Sequence, residues 1–295
     1  MKNIFLGLTL ILSFMAFSTA QAKIKVVATL PDVAEVLHAI GGDEVEISTL
    51  LSGSEDPHYS DARPDYILKV RKADIVCAVG LDLEIGWLPK VLDKAGNAKV
   101  QSGGLGFCEL GRSVKPLEIP SGVVDRSLGD VHPHGNPHFA LDPLKLVEAG
   151  SEAVRVLTAT APEKAEIFRK NYDTFKNQMT TLHEVTQKKV KKDKVMEYHK
   201  EFTYFFASYG IQSMGSLEEK PGMPPSAARI AQIANLAKAS KVTVLFATAS
   251  APHATLERFH ELSGIPVVTV PSYIQTTGEA KTIEGLQNLL VRSLP

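Results

Sequence analysis

Short runs of β-branched and aliphatic residues alternate with amphipathic segments along the first third of the chain, and this order of elements constrains the fold more than any other feature. The runs are IKVVATL, EVEISTLL and ADIVCAVG, and the amphipathic segments between them span 31–40 and 64–72. Pro31 suits the first turn of a helix, and Gly41 and Gly42 give that helix a stop. Strand, helix, strand, helix, strand predicts a parallel sheet covered by helices. The alternation resumes late in the chain with KVTVLFA, a helix over about 252–263, IPVVTV and a final helix near 279–291. The fold class is therefore α/β, with two lobes, each a mainly parallel sheet flanked by helices.

Between the two halves, apolar residues recur at Ala165, Phe168, Tyr172, Phe175, Met179 and Leu182, in alternating steps of three and four. That spacing is one stripe of a helix. Thr160 with Glu163 reads as a capping box, Pro162 fits the first turn, and Lys188, Lys189, Lys191 and Lys192 suit the negative end of the dipole. The span 162–192 thus reads as one long backbone helix of about 45 Å, at roughly 1.5 Å per residue, joining the lobes. The expected division is a leader at 1–22, a first lobe at 23–161, the linking helix at 162–192 and a second lobe at 193–295. The segment 103–130, rich in Gly and Ser, is predicted to be a mobile loop.

Lys and Arg number 32 against 33 for Asp and Glu, so a strongly basic nucleic-acid binder is excluded as a class, and the lysines after Leu182 read as a solvated helix end. Lys2, the apolar stretch 4–17 and Ala20-Gln21-Ala22 have the charged, apolar and small-residue parts of a secretory signal, cleaved after Ala22. No cysteine lies near that point to carry a lipid, so the mature chain is expected to be soluble and extracytoplasmic. With only Cys77 and Cys108, a disulfide scaffold is excluded. Cys77 reads most simply as a buried thiol on a strand, and a Cys77–Cys108 bond is the alternative.

The nine histidines are distributed unevenly. His132, His134 and His138 fall in GDVHPHGNPH, where proline and glycine forbid regular helix and leave the imidazoles on a loop. His58 lies in EDPHYSDARP after the second strand, and His199 follows the first strand of the second half. Both are at strand C-termini, where open parallel sheets place ligands. Imidazole favours zinc over manganese, which prefers carboxylate oxygen. His38 and His183 read as ordinary helix residues. His253 and His260, seven apart, lack the spacing of four that a helical zinc pair usually shows.

The stretches PDVAEVLHAIGGDEVEISTLLSGSEDPHYSDARP, ADIVCAVGLDLEIGWLPK, NPHFALDP, PPSAARIAQIANLAK and IPVVTV resemble, in order and context, the zinc- and manganese-specific solute-binding proteins of bacterial ABC importers. The resemblance covers nearly the whole chain after the leader. It implies His58 and His138 as metal ligands from the first lobe and His199 from the second, with the ion in the interdomain cleft and a membrane permease of an ABC importer as partner. It also implies that a rigid connecting helix restricts closure to small local shifts. Many relatives place an acidic residue soon after the strand equivalent to IPVVTV, whereas this chain continues PSYIQTTGEA. The fourth ligand is left among Asp56, Glu218, Glu219 and water, with His132 and His134 as accessory metal collectors or spectators.

These readings lead to a periplasmic, monomeric protein that captures Zn(II) and delivers it for import, without catalysis. A manganese-specific protein of the same family is one alternative. A zinc hydrolase is another, since three histidines with an open fourth position also activate water, and Glu197 or Glu201 offers a base; no HExxH occurs. An exported adhesin would leave the histidine loops without a purpose.

Overall fold

The computed structural model describes residues 22–122, 124, 129 and 131–295. The leader read at 1–22 lies outside the described residues up to position 21, as does part of the loop expected at 103–130.

In the first lobe β1 (Ile24–Ala28), β2 (Val45–Thr49), β3 (Ile75–Ala78) and β4 (Phe107–Glu109) form a sheet of order β2-β1-β3-β4. In the second, β5 (Lys194–Glu197), β6 (Gln212–Ser216), β7 (Val244–Ala247) and β8 (Val267–Thr269) form one of order β6-β5-β7-β8. Every pairing is parallel. β3 and β7 read IVCA and VLFA and are buried throughout, because helices cover both faces of such a sheet and leave no solvent face for polar alternation. The helices are α1 (Pro31–Gly41), α2 (Pro64–Arg71), α3 (Leu88–Ala95), α4 (Pro143–Thr160), α5 (Ala165–Lys189), α6 (Thr203–Tyr209), α7 (Ala227–Ser240), α8 (His253–Ser263) and α9 (Ile283–Arg292).

The connecting helix is α5. It has 25 residues, roughly 38 Å at 1.5 Å per residue, and it is shorter than expected at both ends. Thr160 does not cap it: that residue closes α4, and its hydroxyl donates to the Val156 carbonyl of its own helix. A 3-10 turn, Pro162–Lys164, separates the two helices, and Lys164 is drawn inward by Glu44 at 2.5 Å. Lys191 and Lys192 fall beyond the last turn. The apolar stripe is as read: Phe168, Phe175 and Met179 are buried, with Tyr172 and Leu182 packed beside them. They meet α1 and α4 of the first lobe and α9 at the chain's end.

One hydrophobic core runs through both lobes, and a smaller cluster around Leu217, Ile230 and Phe259 fills the space under α7 and α8. The lobes are also stitched by polar bonds. Beyond β8 the chain returns to the first lobe, where Ile283 N donates to Glu35, and Gln287 Nε2 donates to the Leu141 carbonyl.

Two expectations are corrected here. The segment read as a loop contains β4 and a 3-10 turn, Leu110–Ser113. Gly106 serves close approach: a Cβ there would stand 2.3 Å from the Asp74 carbonyl oxygen. Because β4 pairs with β3, Cys108 is the register partner of Cys77, and the two form a disulfide. The bonded alternative therefore replaces the buried-thiol reading.

Candidate metal centre

The loops that leave the carboxyl ends of β2, β4 and β5 converge between the lobes, and each delivers an imidazole. His58 is fixed first by its own neighbours. The Asp56 carboxylate accepts both the His58 backbone N–H at 3.0 Å and ring Nδ1 at 2.8 Å, a local turn typical of Asp. Trp87 Nε1 anchors the preceding residue through the Pro57 carbonyl at 2.9 Å. His138 is 2 % exposed; its backbone N–H is held by Asn136 Oδ1 at 2.9 Å and its Nδ1 lies 2.5 Å from the Tyr273 hydroxyl. His199 places Nδ1 2.8 Å from Glu218 Oε2, which also accepts the Gly222 N–H.

His132 joins these rings. Its Nε2 lies 3.2 Å from His58 Nε2, and one nitrogen from each of His58, His132 and His138 falls within 4.8 Å of the others. His199 stands outside that set, but its ring centroid is 5.5 Å from that of His58 and 5.6 Å from that of His138. His134 points elsewhere, with Nδ1 2.6 Å from Asp82 on an exposed surface.

The three candidate acids differ in position. Asp56 and Glu218 are both occupied with ring Nδ1 atoms, the place of partners that orient metal-ligating histidines. Glu219 lines a cavity of about 290 Å³ together with His132, His138 and His199. Glu197 and Glu201, the acids offered as a base for a hydrolase, sit behind the rings. Both are buried; Glu197 accepts the Phe202 N–H, and Glu201 accepts the Ser272 hydroxyl.

The tautomers explain what the centre can hold. A carboxylate only accepts, so Asp56 fixes the proton of neutral His58 on Nδ1 and turns a lone pair at Nε2 toward the centre. The Nε2 atoms of His58 and His132 face each other there at 3.2 Å. Two ring nitrogens at that distance hold either a proton or a cation between them. The edge of a tetrahedron around zinc, at about 2.0 to 2.1 Å per Zn–N bond, is roughly 3.3 to 3.4 Å, close to this spacing. The Nε2 of His138 is buried without a hydrogen-bond partner, a state that buried polar atoms rarely keep. The residues present therefore fit a nitrogen-preferring cation.

Electrostatics divide the rings. Burial, reinforced by the charges of His58 and His199, brings His132 down to about 3 and holds His138 well below the usual imidazole range. Burial also opposes the charged form of His199, but the hydrogen bond that its Nδ1 donates to Glu218 and the charges of Glu201, Glu218 and Glu197 outweigh it and raise this ring to about 9. Burial raises Glu201, and it raises Glu197 to about 8.

Sequence reasoning missed Tyr273 and the part played by Asn136. The motif NPH was visible, and an Asn two residues before a candidate ligand is a recognisable turn-former. Nothing local marked Tyr273.

A family model described as zinc-uptake complex component A, periplasmic, matches residues 26–294. The zinc-binding lipoprotein AdcA of Streptococcus pneumoniae is 23 % identical over 287 residues, which cover 93 % of this chain and 55 % of AdcA. The chain thus spans about half the length of that relative. The iron ABC transporter substrate-binding lipoprotein MtsA of Streptococcus pyogenes is 26 % identical over 279 residues, covering 89 % of this chain and 85 % of MtsA. A crystal structure of ZnuA superposes with a TM-score of 0.75 at 19 % identity, over 92 % of this chain and 99 % of that one. Its two-lobed fold is the fold described above.

Proposed function

From the premise that this chain belongs to the zinc-uptake complex component A family, we propose that it is an extracytoplasmic solute-binding protein whose cargo is Zn(II), carried to the permease of an ABC importer. The lobes at 23–161 and 193–295 hold the ion between them, His58, His132 and His138 supply imidazole nitrogen from the first, and His199 supplies it from the second. The mature protein is soluble and monomeric once residues 1–22 are removed; among the described residues no helix is long and apolar enough to cross a membrane.

One observation carries this reading above the others: the two Nε2 atoms 3.2 Å apart beside the orphaned Nε2 of His138. Four nitrogens with carboxylates one bond further out suit zinc, whereas manganese is better served by direct carboxylate oxygen. Asp56 and Glu218 offset the charge of the ion through the rings they hold. Relatives named for zinc and for iron both occur, so cargo identity rests on this donor set. A hydrolase reading has less support, because Glu197 and Glu201 are engaged by Phe202 N and the Ser272 hydroxyl.

The experiment is competitive titration of the metal-free protein with zinc and manganese, with elemental analysis of the protein as purified. One zinc per chain, retained against an excess of manganese and without turnover of ester or peptide substrates, is the expected result. Preferential manganese retention, or no stoichiometric metal, contradicts the proposal.

A further inference from the structure

The partners that hold the imidazoles differ in origin. Asp56 serves His58 within the first lobe, and Glu218 serves His199 within the second. His138 belongs to the first lobe, but its Nδ1 meets the hydroxyl of Tyr273, which comes from beyond β8 in the second. Both side chains are buried, 2 % exposed each.

The segment carrying Tyr273 is fastened to the first lobe at the next residues. Both oxygens of the buried Asp32 carboxylate, in the first turn of α1, accept the Ile274 N–H at 3.1 Å. Thr276 N donates to the Ser52 carbonyl at 3.0 Å. Gly53, at φ +83°, lies so close that a Cβ there would meet the Ile274 carbonyl oxygen at 1.9 Å. The seat of the hydroxyl on His138 is thus set by contacts between the lobes.

A phenol differs from a carboxylate in that it both donates and accepts. When Tyr273 donates to Nδ1 of neutral His138, the ring proton sits on Nε2 and that nitrogen has no lone pair to offer. When Nδ1–H donates to the phenol oxygen, Nε2 presents a lone pair to the centre. The ring proton has changed nitrogen, and tyrosine keeps its O–H.

We propose that Tyr273, seated by Asp32, is a positioning residue that makes metal ligation at His138 depend on the docking of the second lobe on the first. This rests on the metal-binding reading above. The partner of His138 is then a coupling between lobe geometry and cargo retention.

The test compares the parent protein with Tyr273→Phe, Asp32→Asn and the double variant, using zinc affinity by chelator competition and zinc loss rate to excess chelator. Phenylalanine keeps the volume of the ring, so Tyr273→Phe stands even where Asp32→Asn folds poorly, and melting of the metal-free proteins controls for stability. Tyr273→Phe is expected to weaken zinc binding about 10- to 100-fold, the range for partners that orient a ligating histidine, and to speed zinc loss. The ¹⁵N shifts of the His138 ring in the loaded protein move with it, which a merely structural role would not produce. The double variant is expected to lose no more than the weaker single variant, because both changes break one contact chain. Parent-like affinity in Tyr273→Phe, with a parent that binds zinc, overturns this inference alone, as do additive losses in the double variant. A parent that takes up no zinc overturns the metal reading and this proposal with it.

Discussion

Replacing Glu218 by Gln tests how the centre balances zinc against protons. Glu218 has two opposing effects on His199. Its hydrogen bond at 2.8 Å orients the ring and makes Nε2 a better ligand, which for such partners amounts to about 10- to 100-fold in affinity. Together with Glu201 and Glu197, it also raises the ring to about 9 against the effect of burial, so that at neutral pH the ring carries a proton that zinc must expel. Two pH units below that value, the competing proton costs about 2.7 kcal/mol, or roughly a hundredfold in apparent affinity. The sign follows: parental zinc affinity rises about tenfold per pH unit from 7 to 9 through this ring and levels off above it. Glu218→Gln removes both effects, so its rise over that interval is shallower. The variant is expected to bind nearly as well as the parent near pH 7 and to fall about 10- to 100-fold behind at pH 9.5, where only the orienting effect remains. Competition against a chromophoric chelator of known pH dependence, from pH 6.5 to 9.5, gives both curves. Parallel curves for parent and variant would refute the assignment of the proton to His199.

Further changes separate the members of the histidine loop and examine the scaffold. His132→Ala is expected to weaken zinc binding at least about tenfold by removing one of the paired Nε2 atoms, whereas His134→Ala, whose partner is Asp82 on an exposed surface, leaves it unchanged; equal losses measured by titration calorimetry would count against this distinction. Replacing both Cys77 and Cys108 by Ala opens a loop of sequence separation 31, and chain entropy puts the loss of stability at about 3 to 4 kcal/mol. Urea unfolding of the metal-free double variant measures it, and an unchanged midpoint would contradict the calculation. Phe175→Ala, on the buried face of α5, is expected to lose about 3 to 5 kcal/mol by the same assay, and a loss below about 1 kcal/mol would mean that the helix does not rely on that face.

The elements most legible in the sequence were those with a strong local signal. β-branched runs marked β1, β2, β3, β7 and β8, Pro31 and the glycine pair bracketed α1, and the three-and-four stripe located α5. The failures have physical reasons. β4 is three residues long and begins next to Gly106, whose lack of a side chain serves packing against Asp74 and Lys99 carbonyls; from sequence that composition reads as a loop. The helix α4 carries a local signal of its own, since Asp142 caps it through the Leu144 N–H and Pro143 opens it. In the centre, loops at strand ends singled out His58 and His199, and the family resemblance added His138, without giving distances. The approach of His132 to His58 and of Tyr273 to His138 depends on how separate loops pack, and no local pattern encodes it. The same holds for Asp56 and Glu218: residue type made them candidate ligands, and only the placement of Nδ1 beside each carboxylate shows their orienting position.

The most direct measurement is a crystal structure of the zinc-loaded protein with anomalous scattering recorded at the zinc edge. One peak is expected between the lobes, about 2.0 to 2.1 Å from Nε2 of His58, His132 and His138, with His199 drawn in to complete the set and Tyr273 still bonded to Nδ1 of His138. A peak at His134 and Asp82 instead, or an ion held mainly by carboxylate oxygen with the four rings apart, would contradict the account.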